Sequence, residues 1–255
     1  MKFAIFIVSV VFLLFLASAQ NTALTVFAAS SLTESFSEIG QAFTKQTGIP
    51  VRFQFAGSQI LGTQLENGAP ADIFAAASGD VTLPLEQKNL LEPSQIFAKN
   101  RLVVITPKRG VARVKTLADL AAPNVKLVLA QANVPIGAYT RTVLAKLEST
   151  KRYGTNYAAR VLKNVVSEES NVRQVALKVR LGEADAGVVY ATDVTPDSKS
   201  SLIQLAIPER QNVLVAYPLA VVQATANKNA ARAFTNYVLS PAGQGILQRW
   251  GFLKP

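Results

Sequence analysis

The chain has 255 residues, 49% of them hydrophobic and 16% charged, with no cysteine and no histidine. That is enough apolar content to bury a core in one large domain or two lobes. The two missing residue types exclude disulfides, thiol nucleophiles, Cys-based zinc sites, a lipid-bearing N-terminal cysteine and the Ser-His-Asp triad. The net charge of +10 is scattered, with Lys108-Arg109 and Lys151-Arg152 as its densest pairs. It is not gathered on one aromatic-interleaved stripe, so it reads as a surface property that helps attract anions, and no nucleic-acid partner is expected.

The first twenty residues have the pattern of an export signal: Lys2 as a short positive region, an apolar stretch at 4–16, and the small residues Ala17-Ser18-Ala19, which put cleavage before Gln20. The apolar stretch is shorter than the ~20 residues of a membrane span, so the mature protein is expected in the periplasm. Short apolar runs then alternate with helical periodicity. Strands are expected at 24–29, 50–57, 71–77, 101–107, 126–130, 185–190 and 212–222, and helices at 32–46, 59–66, 81–89, 138–147, 172–181, 228–239 and 241–249. Strands separated by helices of this length imply an α/β fold with mainly parallel, covered sheets. The runs near 101–106 and 213–222 are candidate crossovers between two lobes.

Ligands of open α/β sheets bind at the carboxyl ends of strands, where a following helix offers unpaired N–H groups and a partial positive charge. Five junctions have suitable chemistry. Ser30-Ser31 follows the first strand, although Ser31-Leu32-Thr33-Glu34 also fits a capping box with Ser31 as cap. Gly57-Ser58 follows the second strand, where glycine permits close approach and serine adds a donor. Pro135-Ile136-Gly137 precedes a helix and can offer a backbone N–H. Ser170-Asn171 leads into the helix at Val172, for which either can serve as the cap. Tyr190 ends an apolar strand, where a core tyrosine is the simpler reading.

The segments "TVFAASSL", "FAGSQILGTQLENGAPADIFAAAS", "LVVITP", "VPIGAYT", "NVRQVAL", "EADAGVVYATD", "YPLAVV" and "SPAGQGILQRWGF", in this order, resemble the molybdate-binding component of bacterial molybdate ABC transporters, a family of type II periplasmic binding proteins. The resemblance covers Leu24 to Leu253. It implies two α/β lobes, residues 20–103 with 217–255 and residues 104–216, and a tetrahedral oxyanion held in the cleft between them. Carried over by motif, the ligand contacts are the hydroxyls and amides of Ser31 and Ser58, the amides of Ile136 and Val172, and the hydroxyl of Tyr190. The chain departs from some relatives at Gly57, where they have another serine, at Ile136, and in a longer stretch at 148–170. No Asp or Glu stands at the matched positions, so the resemblance implies molybdenum held only as tetrahedral molybdate, with no direct protein–metal ligand and no cofactor.

The implied activity is capture of molybdate or tungstate and delivery to an inner-membrane ABC permease with its ATPase, by a monomeric protein. A receptor for sulfate or another tetrahedral oxyanion is the alternative. An enzyme with Ser31 as nucleophile lacks a histidine base and has Glu34 where a Ser-x-x-Lys pair would need lysine.

Overall fold

The computed structural model describes residues 23–108 and 113–255. The expected signal segment, residues 1–19, and its cleavage point before Gln20 lie outside the described residues. In the first part of the chain, β1 (Leu24–Ala29), β2 (Val51–Ala56), β3 (Ile73–Ala75) and β4 (Gln95–Asn100) alternate with α1 (Thr33–Thr47), α2 (Ser58–Glu66) and α3 (Gly79–Gln87). Then come β5 (Leu102–Pro107), β6 (Leu127–Ala130), α4 (Pro135–Ser149), α5 (Tyr157–Lys163), β7 (Val165–Glu169), α6 (Val172–Leu181), β8 (Ala186–Tyr190) and β9 (Leu202–Ala206). The chain closes with β10 (Val215–Val221), α7 (Lys228–Leu239) and α8 (Pro241–Arg249).

The strands form two five-stranded sheets of the same plan, β2-β1-β3-β10-β4 and β7-β6-β8-β5-β9, each the spine of one lobe. In each sheet four strands run one way and one runs against its neighbours, β10 in the first and β5 in the second. The reversed strand is in both cases the first one made after the chain changes sheets. That change occurs at Arg101 and again within residues 207–214. The two long apolar runs expected to bridge the lobes therefore each lie inside one sheet. Leu102 and Val103 pair in the second sheet, and Val215 and Ala216 in the first, one or two residues from the expected divisions at 103/104 and 216/217. Asn212 ties the two passages together. Its side chain accepts from the Leu102 N–H at 3.1 Å and donates to the Leu102 carbonyl at 2.9 Å.

Apolar spacing explains the packing. Phe36, Ile39 and Phe43, three and four residues apart, form the buried stripe of α1. Phe36 packs on Phe97 of β4 and Phe43 on Phe234 of α7, with ring centroids 5.4 and 5.2 Å apart. In the second lobe a Cβ on Gly187 would meet Val175 at 2.8 Å and the Val128 carbonyl oxygen at 2.9 Å, so glycine lets α6 lie directly on β8. The strands β4, β7 and β9 were not expected. All three are sheet edges, and β7 and β9 are largely exposed or half-buried, so polar residues such as Ser167, Glu168 and Gln204 interrupt the apolar pattern that marks inner strands.

Candidate functional site

Four helical first turns, two from each lobe, converge on one small cavity. It is lined by Ala29, Ser30, Ser31, Ala56, Gly57, Ser58 and Ala77 of the first lobe and by Val134, Pro135, Ile136, Asn171, Val172 and Tyr190 of the second. All five residues singled out from the sequence are therefore brought together, and all five are buried. The free volume of the cavity is about 10 Å³, far below the ~300–1,000 Å³ of sites for drug-sized organic ligands. No charged side chain lines the cavity.

Each wall residue is positioned for a local reason. A 3₁₀ turn, Ser30–Leu32, carries the chain from β1 into α1. α2 begins at Ser58 itself. α4 begins at Pro135, three residues earlier than expected, with proline in the first turn where its missing N–H costs nothing. This places the Ile136 N–H among first-turn donors that no carbonyl of the helix can accept. Gly137 is required beside it, because a Cβ there would lie 1.9 Å from the Gln131 carbonyl oxygen. At α6 the cap is Asn171, whose side chain accepts the N–H groups of Arg173 and Gln174 at 3.0 and 3.1 Å. The N–H of Val172, the first residue of α6, faces the same first-turn deficit. Four helical N-termini pointing at one space give it a positive potential without any cation.

The hydroxyls complete the donor set. Ser58 Oγ accepts the Ala77 N–H at 3.0 Å, so its own proton remains to be donated. Ser31 Oγ lies 3.0 Å from the Tyr217 hydroxyl. Asn100 Nδ2 donates to that tyrosine oxygen at 3.5 Å; either hydroxyl of the Ser31–Tyr217 pair can be the donor, and with Tyr217 donating the Ser31 proton is free for the cavity. The Tyr190 hydroxyl is buried and makes no hydrogen bond of good geometry among the described residues, although the Tyr217 hydroxyl is close enough to interact with it. Burial pushes the hydroxyls of Tyr190 and Tyr217 well above the ordinary tyrosine range, so both stay protonated donors at neutral pH.

The capping box expected at Ser31 does not form. The 3₁₀ turn and α1 start without a side-chain cap hydrogen bond, because Ser31 is turned to Tyr217 and Glu34 to the other lobe. Arg173 of α6 grips both carboxylate oxygens of Glu34, one of them at 3.0 Å from Nη1, and its Nε donates to the Ser30 carbonyl at 3.2 Å. On its own side it lies 3.0 Å from Asp193. A second bridge joins Gln59 Nε2 to the Ser170 carbonyl at 2.9 Å. Both bridges flank the cavity, so the lobes are shut on it. Arg173, Gln59, Asp193 and Tyr217 were not singled out from the sequence, and Glu34 was read there only as the partner of a helix cap. All four of these lie inside the quoted segments, but the contacts that set the roles of Arg173, Gln59 and Tyr217 are more than a hundred residues away in the chain, which spacing does not reveal.

Asp193 is fully buried, and burial raises its carboxyl to about 6 against the pull of Arg173. Its ordinary value is about 4. Between the two values the folded chain holds a proton that the unfolded chain has lost, so this group's contribution to stability falls as pH rises from about 4 to about 6 and is level above. Asp193→Asn keeps an acceptor for the Tyr190 N–H, which Asp193 now accepts at 3.0 Å, and should remove that slope. The check is the parent-minus-variant difference in thermal melts across this range. A difference that does not change with pH would contradict the assignment.

Residues 24–253 match the profile of a family described as bacterial extracellular solute-binding protein. The chain is 36% identical over 236 residues to the molybdate-binding protein ModA of Mycobacterium tuberculosis H37Rv, covering 91% of this chain and 85% of that one. It is 32% identical over 244 residues to the molybdate-binding protein ModA of Escherichia coli K12, covering 92% and 91%. Among solved structures, the Azotobacter vinelandii periplasmic molybdate-binding protein superposes with a TM-score of 0.79 at 21% identity, covering 91% of this chain and 99% of that one; this likeness concerns the fold. With paired lobes, a neutral donor-lined cavity between them and a family match across nearly all the described residues, the chain belongs to the bacterial extracellular solute-binding proteins.

Proposed function

We propose that this protein is an exported receptor that captures molybdate or tungstate and hands it to an ABC importer, without catalysing a reaction. The observation that carries the reading is the Tyr190 hydroxyl, a buried donor that makes no hydrogen bond of good geometry among the described residues, in a largely apolar wall whose other donors are first-turn amides and serine hydroxyls. A buried polar group without a partner is costly, and a tetrahedral oxyanion supplies the missing acceptor. Molybdate at neutral pH carries two charges and no proton, so it accepts at every oxygen and suits a wall of donors. The contacts are the hydroxyls and amides of Ser31 and Ser58, the amides of Ile136 and Val172, and the Tyr190 hydroxyl. The ligand is held by hydrogen bonds, not coordination. Among the described residues no three His, Cys, Asp or Glu side chains gather to bind a metal ion. The lobes close over the anion by hinge motion about the two passages tied by Asn212.

Tyr190→Phe is the test. It removes one hydroxyl and keeps the ring, so molybdate affinity measured by calorimetry should fall by roughly 1.5–3 kcal/mol, the range for a hydrogen bond to a charged group. Because that hydroxyl makes no other hydrogen bond of good geometry among the described residues, the ligand-free melting temperature should hold or rise. Unchanged affinity together with a lower melting temperature would make Tyr190 a core residue only and remove the reading's main support.

A further inference from the structure

We propose that the basic groove at the outer end of the second lobe docks this protein on an anionic lipid bilayer. The proposal is independent of the oxyanion reading. Its first support is where the charge lies. Residues 101–214 carry 17 Lys and Arg against 9 Asp and Glu, a net +8, whereas residues 23–100 and 215–255 together carry 8 against 7, a net +1. The excess is concentrated further between Arg113 and Lys163, with nine cations and two carboxylates, Asp119 and Glu148. Asp119 is already engaged, accepting the N–H groups of Lys115 and Thr116.

The second support is the groove itself. Arg113, Lys126, Arg160 and Lys163 line it together with the aliphatic Val125 and Val166. Arg113 has one weak carboxylate neighbour, Asp185 at 3.9 Å. Neither the Lys126 nor the Lys163 ammonium has an acidic partner among the described residues. Of the two aliphatic residues, Val166 is 59% exposed and Val125 is buried; Leu162 of α5, outside the groove lining, is 37% exposed. Cations around exposed aliphatic side chains match the boundary of an anionic bilayer, where headgroups meet the cations and the aliphatic groups enter the acyl edge. A nucleic acid or an acidic peptide would answer the charge and leave the aliphatic side chains uncovered. The placement is also compatible with ligand capture. Lys126 enters β6, while the cavity lies beyond the other end of that strand, past Ala130, so docking leaves the cavity free.

The test is co-sedimentation of the mature chain with phosphatidylcholine vesicles, with and without one-third phosphatidylglycerol. Each cation at an anionic surface contributes about fivefold to partitioning. Arg160→Glu with Lys163→Glu should therefore lower binding to the anionic vesicles by more than about 25-fold. Lys45→Glu with Lys254→Glu makes the same change of net charge on the first lobe and should lower it only slightly. Binding should vanish near 1 M salt, where the Debye length is about 3 Å. Molybdate uptake and melting temperature of the Arg160/Lys163 variant should equal the parent's, which separates this result from any failure of the oxyanion site. The proposal is overturned by equal loss in the two double variants, by equal binding to uncharged vesicles, or by no binding to anionic ones. It is also overturned if DNA or polyglutamate is retained while vesicles are not, or if inorganic phosphate displaces vesicles beyond a chloride control of equal ionic strength.

Discussion

Ser58→Asp should yield a folded protein that no longer takes up molybdate. The substitution suits the ligand-free fold. Ser58 opens α2, where a carboxylate is favoured by the helix dipole, and an aspartate oxygen can keep the hydrogen bond that Ser58 accepts from Ala77. In the loaded protein the same carboxylate faces a dianion in a small buried cavity. Two like charges 4 Å apart repel by about 4 kcal/mol at an effective dielectric near 20, and molybdate carries two. Affinity should drop by more than about a thousandfold, with the ligand-free melting temperature close to the parent's. Calorimetric titration and a thermal melt decide it. A Ser58→Asp protein that binds molybdate normally would take Ser58 out of the wall, and a protein that does not fold would contradict the local account of α2.

Reversing the charge at Glu34 should unlock the lobes and shorten ligand residence. Arg173 holds Glu34 and the Ser30 carbonyl across the cleft, and these positions adjoin Val172 and Ser31 of the cavity wall. The pair is about one-quarter to one-third exposed, so its contribution is set at about 1–2 kcal/mol, below that of a fully buried charged hydrogen bond. Glu34→Gln should therefore weaken molybdate binding about five- to thirtyfold. Glu34→Lys, which sets two cations side by side, should exceed a hundredfold. A latch that closes behind the anion should show in stopped-flow kinetics as a faster dissociation rate and a nearly constant association rate in these variants. A loss carried wholly by the association rate would contradict the latch.

How much of this was legible in the sequence depends on how local each feature is. β1 and α6 fall at their expected bounds because an uninterrupted apolar run and an amphipathic period are properties of neighbouring residues. The edge strands β4, β7 and β9 escaped because half-exposed strands do not need a continuous apolar pattern. Of the cavity wall, the residues at strand-to-helix junctions could be named, since the N–H deficit of a helix start is itself local. The contacts that set their state were not legible. Ser31 read equally well as a helix cap until Tyr217, 186 residues away, was found beside it. Glu34 had a plausible local role that Arg173 takes from it. The charge reads as scattered pair by pair, yet its excess lies in the contiguous stretch 101–214, and the fold shows that this stretch is one lobe.

The central claim is that a wall of donors without a carboxylate acceptor selects an oxyanion that carries no proton. Phosphate near neutral pH brings an O–H that such a wall leaves unpaired, a mismatch that can discriminate by roughly 10⁴. Sulfate carries no proton either, but its shorter bonds keep its oxygens from reaching all the donors of a rigid wall at once. The measurement is calorimetric titration of ligand-stripped mature protein with molybdate, tungstate, sulfate and phosphate at neutral pH. The account predicts one molybdate or tungstate per chain, weaker sulfate and no measurable heat from phosphate. Phosphate binding as tightly as molybdate would contradict it.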